Sequence, residues 1–327
     1  MTKKYQVLGV GNAIVDVIAA VSDEFLAEHG DDKGAMNLVD QTRSAKIYDA
    51  MPPTEEHSGG SAGNTMAGFA ALGGKGAFIG KVKDDQLGRI FAHDIKSAGV
   101  DFLTSPSSEA TPTAVCMVLV TPDSERTMHT YLGACVNLTE NDIDEADIAD
   151  TEIIYFEGYL WDMEPAKKAF LKAMKIAHET GGKVALTLSD SFCVGRFRKE
   201  FLELVEHHVD ILFANEDEIT SLYEVDTFDE ALQHVAGHVS IAALTRSEKG
   251  CVIVTPHEVH VIDAVATDVV DTTGAGDLFA AGFLYGITNG HSLAEAGKIG
   301  SICAAEIITH IGARPAVDIK ALVQEKL

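Results

Sequence analysis

The chain lacks most of the features that mark metal enzymes, secreted scaffolds and nucleic-acid binders. Its five cysteines, at 116, 135, 193, 251 and 303, are odd in number and form no C-x-x-C pair. A disulfide framework or thiolate cluster is therefore disfavoured, and a reducing cytoplasm is the expected setting. Thirteen histidines include no H-E-x-x-H, and the adjacent His207 and His208 suit the surface end of a helix. No basic patch offsets a formal charge of −25, from 50 acidic and 25 basic residues, which argues against DNA, RNA or a membrane surface as a partner. No apolar run approaches the length of a membrane span. Lys3-Lys4 ahead of a largely apolar run to Val21 imitates a secretory leader, but Asn12, Asp16 and Gly9-x-Gly11 interrupt it. Gly-x-x-x-x-Gly-Lys-[Ser/Thr] is missing, which excludes a P-loop. Repeats, low-complexity segments and linkers are missing too.

What is present is an ordinary globular composition, 46% hydrophobic and 23% charged over 327 residues, enough for a large domain with or without a small one. From about residue 150, short apolar runs at 153–156, 183–188 and 211–214 alternate with helical patterns at 165–179 and 196–207. Further strands are expected at 240–244, 251–255 and 258–262, and helices from 276 to about 289 and over 292–309. Such alternation predicts a doubly wound α/β fold, a mainly parallel sheet flanked by helices. The N-terminal third mixes strands at 6–10, 14–21, 35–39, 77–80, 100–103, 114–120 and 127–131 with helices at 61–72 and 84–98, around a polar segment over 23–32. The β-rich pieces predict a small discontinuous sheet acting as a lid. The expected division is a core of 1–12, 41–99 and 132–327 with a lid of 13–40 and 100–131.

The densest chemistry lies in Asp271-Thr-Thr-Gly-Ala-Gly-Asp277, just ahead of apolar residues Phe279, Phe283 and Ile287 at helical spacing. A Gly-rich turn at a helix N-terminus makes an anion site, and the carboxylate of the first turn is a proton acceptor beside it. Together they read as phosphoryl transfer. The bland reading of Asp277 is a first-turn charge complementing the helix dipole. Gly9-x-Gly11 invites a dinucleotide reading, but Ile14 stands where the third glycine belongs and a strand follows, which disfavours an NAD-dependent dehydrogenase. Asp16, inside Ile14-Val-Asp-Val-Ile18, must be paired, solvated or bound to hydroxyls. Ser58-Gly-Gly-Ser-Ala-Gly-Asn64 reads either as a flexible loop with a Ser61 cap, or as a close backbone approach to a ligand at Gly59 and Gly60 with Asn64 on a diol. Asn215-Glu-Asp-Glu218 reads as helix capping or as a Glu218 contact to the water shell of Mg2+.

Read together, these segments resemble the ribokinase-like, PfkB-type family of carbohydrate and nucleoside kinases. The resemblance covers nearly the whole chain and both long motifs: residues 59–91, with Gly-Gly-Lys-Gly at 73–76, Ile79-Gly-Lys81 and Asp84-Asp-x-x-Gly88, and residues 271–282. It implies a ribokinase-like core with a small β lid, and phosphorylation of a hydroxymethyl group by ATP with Mg2+. By resemblance Asp277 is the general base, and the N–H groups of Gly274, Ala275 and Gly276 form the anion hole. Asn12, Asp16, Gly59, Gly60 and Asn64 hold the substrate, while Asn215, Glu218, Thr245 and Gly250 serve the nucleotide. Asp271, Thr273 and Gly312 match the monovalent-cation (K+) site of some members. One departure is Thr245-Arg-Ser247-Glu-Lys-Gly250, where members often carry glycine in place of Ser247.

Asn12–Asp16, residues 33–38 and residues 126–134 are similar to bacterial members grouped with adenosine kinases. The 5'-OH of adenosine is therefore the expected acceptor, with Phe102 and Met36 as a surface for the purine. A free sugar such as fructose, ribose or 2-keto-3-deoxygluconate is the alternative acceptor. A catalytically silent sugar-binding regulator on the same fold is disfavoured by the presence of Asp277. Monomer and homodimer are both compatible with the sequence.

Overall fold

The computed structural model describes residues 3–29, 33–123 and 125–327; residues 30–32 of the polar segment lie outside the described residues. In chain order the first half runs β1 (Tyr5–Val10), β2 (Ile14–Ala20), α1 (Asp23–His29), β3 (Met36–Leu38), α2 (Gln41–Ala50), β4 (Glu55–Gly59), α3 (Ser61–Ala71), β5 (Gly76–Ile79), α4 (Gln86–Ser97), β6 (Val100–Phe102), β7 (Ala114–Val120), β8 (Arg126–Tyr131) and α5 (Glu145–Ala149). The second half runs β9 (Thr151–Glu157), α6 (Glu164–Glu179), β10 (Lys183–Thr187), α7 (Ser191–His207), β11 (Ile211–Asn215), α8 (Glu216–Tyr223), α9 (Phe228–Val235), β12 (Ile241–Thr245), β13 (Cys251–Val254), β14 (Val259–Ile262), α10 (Ala275–Thr288), α11 (Leu293–Ile307) and α12 (Ile319–Lys326).

Nine strands form the large sheet in the order β14-β13-β12-β11-β10-β9-β1-β5-β6. It is parallel from β12 to β6 and antiparallel at β13 and β14. From β12 to β5 both faces are buried, which is why those strands are continuous apolar runs rather than alternating ones. Successive side chains point to opposite faces. Val7, Ile153 and Tyr155 join Phe69, Phe283 and Ile299 of α3, α10 and α11. Their neighbours Leu8, Ile154 and Phe156 join Phe170 and Phe201 of α6 and α7. The doubly wound α/β architecture expected from the sequence is the one observed.

The small sheet runs β3-β8-β7-β2-β4. One of its faces, carrying Val15, Val17, Val115 and Met117, belongs to the main core. Two pieces differ from the expected division. Residues 55–59, read with the core, form β4 and pair with β2 in the small sheet, while residues 100–102, read with the lid, form β6 and extend the large one. Glu-Glu-His-Ser-Gly has no strand-forming residue, so pairing with β2 places it. Helix α2 was hidden because it buries only Ser44 and Ile47, and its start is set by Asp40 accepting from the Arg43 N–H. Helices α1, α9 and α12 escaped for similar reasons, being seven or eight residues long with one to three buried positions. Helix α7 starts five residues before the expected 196, capped by Asp190, and is kinked at Phe197. Phe102 is partly buried, packs on Phe78 and Phe91 and belongs to β6 of the large sheet rather than to the small one.

Among the described residues no helix is long and apolar enough to cross a membrane. Strand β2, not a helix, follows Gly9-x-Gly11, which removes the geometry that a dinucleotide turn requires.

Candidate active site

Sheet order reverses at β1: later strands add on its β9 side, and β5 and β6 lie on the other. In open α/β sheets the crevice at such a point, beyond the carboxyl ends of the strands, is where ligands bind. Here it holds Gly11 and Asn12 after β1 and Glu157 at the end of β9. Glu157 is buried and accepts from the Asn12 N–H at 2.8 Å, the Asn12 Nδ2 at 2.6 Å and the Ala62 N–H at 2.7 Å. Burial pushes its carboxyl up to about 7 against these three donors. The side-chain amide of Asn12, expected to face substrate, thus donates to Glu157.

Asp277 enters the crevice from the first turn of α10, whose cap Gly274 has φ +78°. Its Oδ1 accepts from Ser61 Oγ at 2.6 Å, and its Oδ2 from Asn64 Nδ2 at 3.1 Å. Burial raises the Asp277 carboxyl above its ordinary range, while Ser61, Asn64 and Arg314 oppose the rise. Beside it, the first turn of α10 presents N–H groups that have no partner four residues back. The Ala275 N–H, assigned to the anion hole by resemblance, bonds the Thr272 carbonyl at 3.2 Å.

Helix α3 supplies Ser61 and Asn64. Its cap is Gly60 rather than Ser61, with φ +83°; a side chain there would meet the Asn12 carbonyl, so only glycine fits. Gly59 packs against the Asp16 carboxylate in the same way. Burial pushes Asp16 up to about 6, with Arg314 and Arg126 pulling it down and Asp277 adding to the rise.

Strand register extends the site across the small sheet. His57, Asp16, Cys116, Thr130 and Leu38 are successive partners on β4, β2, β7, β8 and β3. In-register side chains share one face. Two strand spacings carry Asp16 to Thr130, about 10 Å. At that end Leu38, Thr130, Tyr131, Leu132 and Val136 line a largely apolar cleft of about 210 Å³.

On the other flank Asn215 and Thr245 are register partners at the carboxyl ends of β11 and β12. Asn215 and Glu218 form a reciprocal cap, Nδ2 to Oε1 at 2.6 Å and N to Oε2 at 3.0 Å, and burial pushes Glu218 up to about 7. Both Glu218 oxygens thus accept from Asn215, so a contact to a metal's water shell requires sharing them. Ser247 takes φ +50°, the left-handed conformation that a glycine adopts freely, so the loop closes with Arg246 N–H on the Gly250 carbonyl at 2.8 Å.

Asp271, Thr273 and Gly312 do come together, but around a guanidinium. Arg126 of β8 donates through Nη1 to Asp271 Oδ2 at 2.5 Å and to Thr273 Oγ1 at 2.7 Å. Gly312 turns its N–H to the same carboxylate at 3.2 Å. In this arrangement the Asp271 carboxylate and the Thr273 hydroxyl are engaged by Arg126. Four residues here escaped sequence reasoning: Arg126, Glu157, Arg314 and the Ser61 contact to Asp277. Glu157 alone left a signal, an acidic residue closing an apolar strand.

The family model described as pfkB family carbohydrate kinase matches residues 36–320. A probable fructokinase-6, chloroplastic, of Arabidopsis thaliana is 30% identical over 310 residues, covering 89% of this chain and 80% of that protein. The crystal structure of adenosine kinase from Sinorhizobium meliloti is 52% identical with a TM-score of 0.91, over 99% of this chain and 100% of the other. A probable sugar kinase protein from Rhizobium etli CFN 42 is 50% identical with a TM-score of 0.92, over 99% of each chain.

Proposed function

The chain belongs to the pfkB family of carbohydrate kinases, and on that premise we propose that it transfers the γ-phosphoryl group of ATP to the 5'-hydroxymethyl group of a nucleoside, adenosine. The observation that carries the chemistry is the Asp277 carboxylate, held by Ser61 and Asn64 beside the N-terminus of α10. A carboxyl raised by burial is a better proton acceptor for an attacking hydroxyl than an ordinary one. The N–H groups of the first turn, those of Gly274 and Gly276 with that of Ala275 once it leaves the Thr272 carbonyl, stabilise the charge that develops on the phosphoryl oxygens.

Asn215, Glu218, Thr245 and Gly250 are the residues proposed to hold ATP. Mg2+ supplies neutralisation of phosphate charge when bound. The small sheet excludes water, which competes with the acceptor hydroxyl.

Two observations support a nucleoside. The row from Asp16 to Thr130, with the apolar cleft beside Thr130, suits a ligand with hydroxyls at one end and a ring system about 10 Å away. Identity of 52% to the Sinorhizobium meliloti enzyme points the same way. The relation to fructokinases favours a second reading, a kinase of a free sugar such as fructose or ribose.

The test is ADP release with Mg2+-ATP across adenosine, inosine, ribose, fructose and 2-keto-3-deoxygluconate, with Asp277→Asn as control. Turnover of adenosine, lowered about 10²–10⁴-fold in the variant, is expected. Turnover of fructose or ribose alone overturns the nucleoside reading and keeps the base. Turnover of none of these acceptors overturns both.

A further inference from the structure

We propose that Arg314 is a positioning residue that fixes Asn64 in the one amide orientation able to donate to the base, and so keeps the Asp277 carboxylate ionised. The inference rests on the reading of Asp277 as a general base. Arg314 Nη1 donates to Asn64 Oδ1 at 2.8 Å, and Asn64 Nδ2 donates to Asp277 Oδ2 at 3.1 Å. A guanidinium only donates, so Asn64 must turn its oxygen to Arg314 and its NH2 to Asp277. Without that constraint the amide is free to flip and set its oxygen against the carboxylate, an arrangement satisfied only when Asp277 carries a proton.

The other arm of the guanidinium is anchored equally firmly. Nη2 donates to the Ser58 carbonyl at 2.5 Å and to Ser58 Oγ at 2.8 Å, and Ser58 Oγ donates to Asp94 Oδ2 at 2.5 Å. The relay therefore reads Asp94, Ser58, Arg314, Asn64, Asp277, and joins α4, β4, the C-terminal loop, α3 and α10. The loop itself is pinned on both sides of Arg314. The Gly312 N–H meets Asp271 at 3.2 Å, and the Ala316 N–H meets the buried Glu306 at 2.9 Å.

Charge supports the same role. Asp16 from β2, Tyr155 and Glu157 from β9, Tyr159 beyond it and Glu218 from α8 are electrostatically coupled to Asp277, and Arg314 is the cation coupled to it. Arg314 is also the foremost charge holding Asp16 down.

Two readouts test the proposal, one of which does not depend on turnover. In protein labelled with 13C at aspartate carboxyls, with the Asp277 signal identified by its loss in Asp277→Asn, Arg314→Gln is expected to titrate Asp277 about one pH unit higher than the wild type, as removal of a neighbouring opposite charge requires. The acidic limb of kcat/KM for adenosine phosphorylation is expected to move up with it. Arg314→Lys keeps the charge but not the fork. It is expected to leave the limb within about half a unit of the wild type while kcat falls about tenfold, because a point charge does not bridge Asn64 and Ser58 as a fork does. An unmoved Asp277 titration in folded Arg314→Gln overturns the proposal. If that variant does not fold, full kcat in Arg314→Lys overturns it instead. A wild type that phosphorylates nothing defeats the kinase reading, while the NMR titration still judges the relay.

Discussion

Glu157 sits at the reversal of the large sheet with three N–H donors on it and almost no access to water. Its carboxyl, pushed up to about 7, retains a proton in the folded chain over a range where the unfolded chain has lost it. The stability from this group is complete below the unfolded value, about 4.3, and is lost as pH rises through 7, at up to about 1.4 kcal/mol for each unit of difference. The thermal midpoint is expected to fall between pH 5 and pH 8. Glu157→Gln should flatten that slope without abolishing it, since Asp16 and Glu218 are raised too. It should also lower the midpoint, because its NH2 faces an N–H donor. A slope unchanged in the variant would exclude Glu157 as its source; differential scanning calorimetry across the range decides. Asp277 and Asp16 were legible in the sequence because a glycine turn before a helix and a charge inside an apolar strand are local signals. Arg314 and Glu157 were not, because their partners lie 250 and 145 residues away.

Helix α10 owes its place both to a broad apolar surface, with Leu278, Phe279, Phe283 and Leu284 buried, and to a close approach. A Cβ on Gly282 would lie 2.8 Å from the Cα of Gly300 in α11, so the two helices meet backbone to backbone. Gly282→Val is expected to cost about 1–3 kcal/mol in urea denaturation. It should also lower kcat, because displacing α10 displaces the Asp277 turn. Gly195→Ala is the contrasting change. That glycine is exposed within α7 with open space around it, and alanine should stabilise the helix by about 0.5–1 kcal/mol. Equal effects of the two would remove the case for a backbone seam. At this scale the strands of the large sheet were readable because burial on both faces leaves an unbroken apolar run. Strand β4 and helix α2 were not readable, since pairing and a cap define them while their composition is polar.

Over the whole molecule, a charge of −25 opposes the approach of any polyphosphate. The screening length contracts from about 30 Å at 0.01 M salt to about 8 Å at 0.15 M. The kcat/KM for ATP is therefore expected to rise with salt over that interval, and sodium should serve as well as potassium, given the guanidinium on Asp271. A strict requirement for potassium in steady-state assays would contradict that arrangement.

The strand order also has a consequence for biosynthesis. Strand β1, which precedes every other strand of the nine-stranded sheet in the chain, ends up in its interior, between β5 and β9. The edge that will face β9 has no partner until residue 157 has been made. At roughly 5–20 residues per second, that wait is about 7–30 s. During it Val7 and Leu8, wholly buried in the finished protein, belong to a nascent chain that has made three of the sheet's nine strands. That unpaired apolar edge is a surface on which holding factors at the exit tunnel would act until β9 appears.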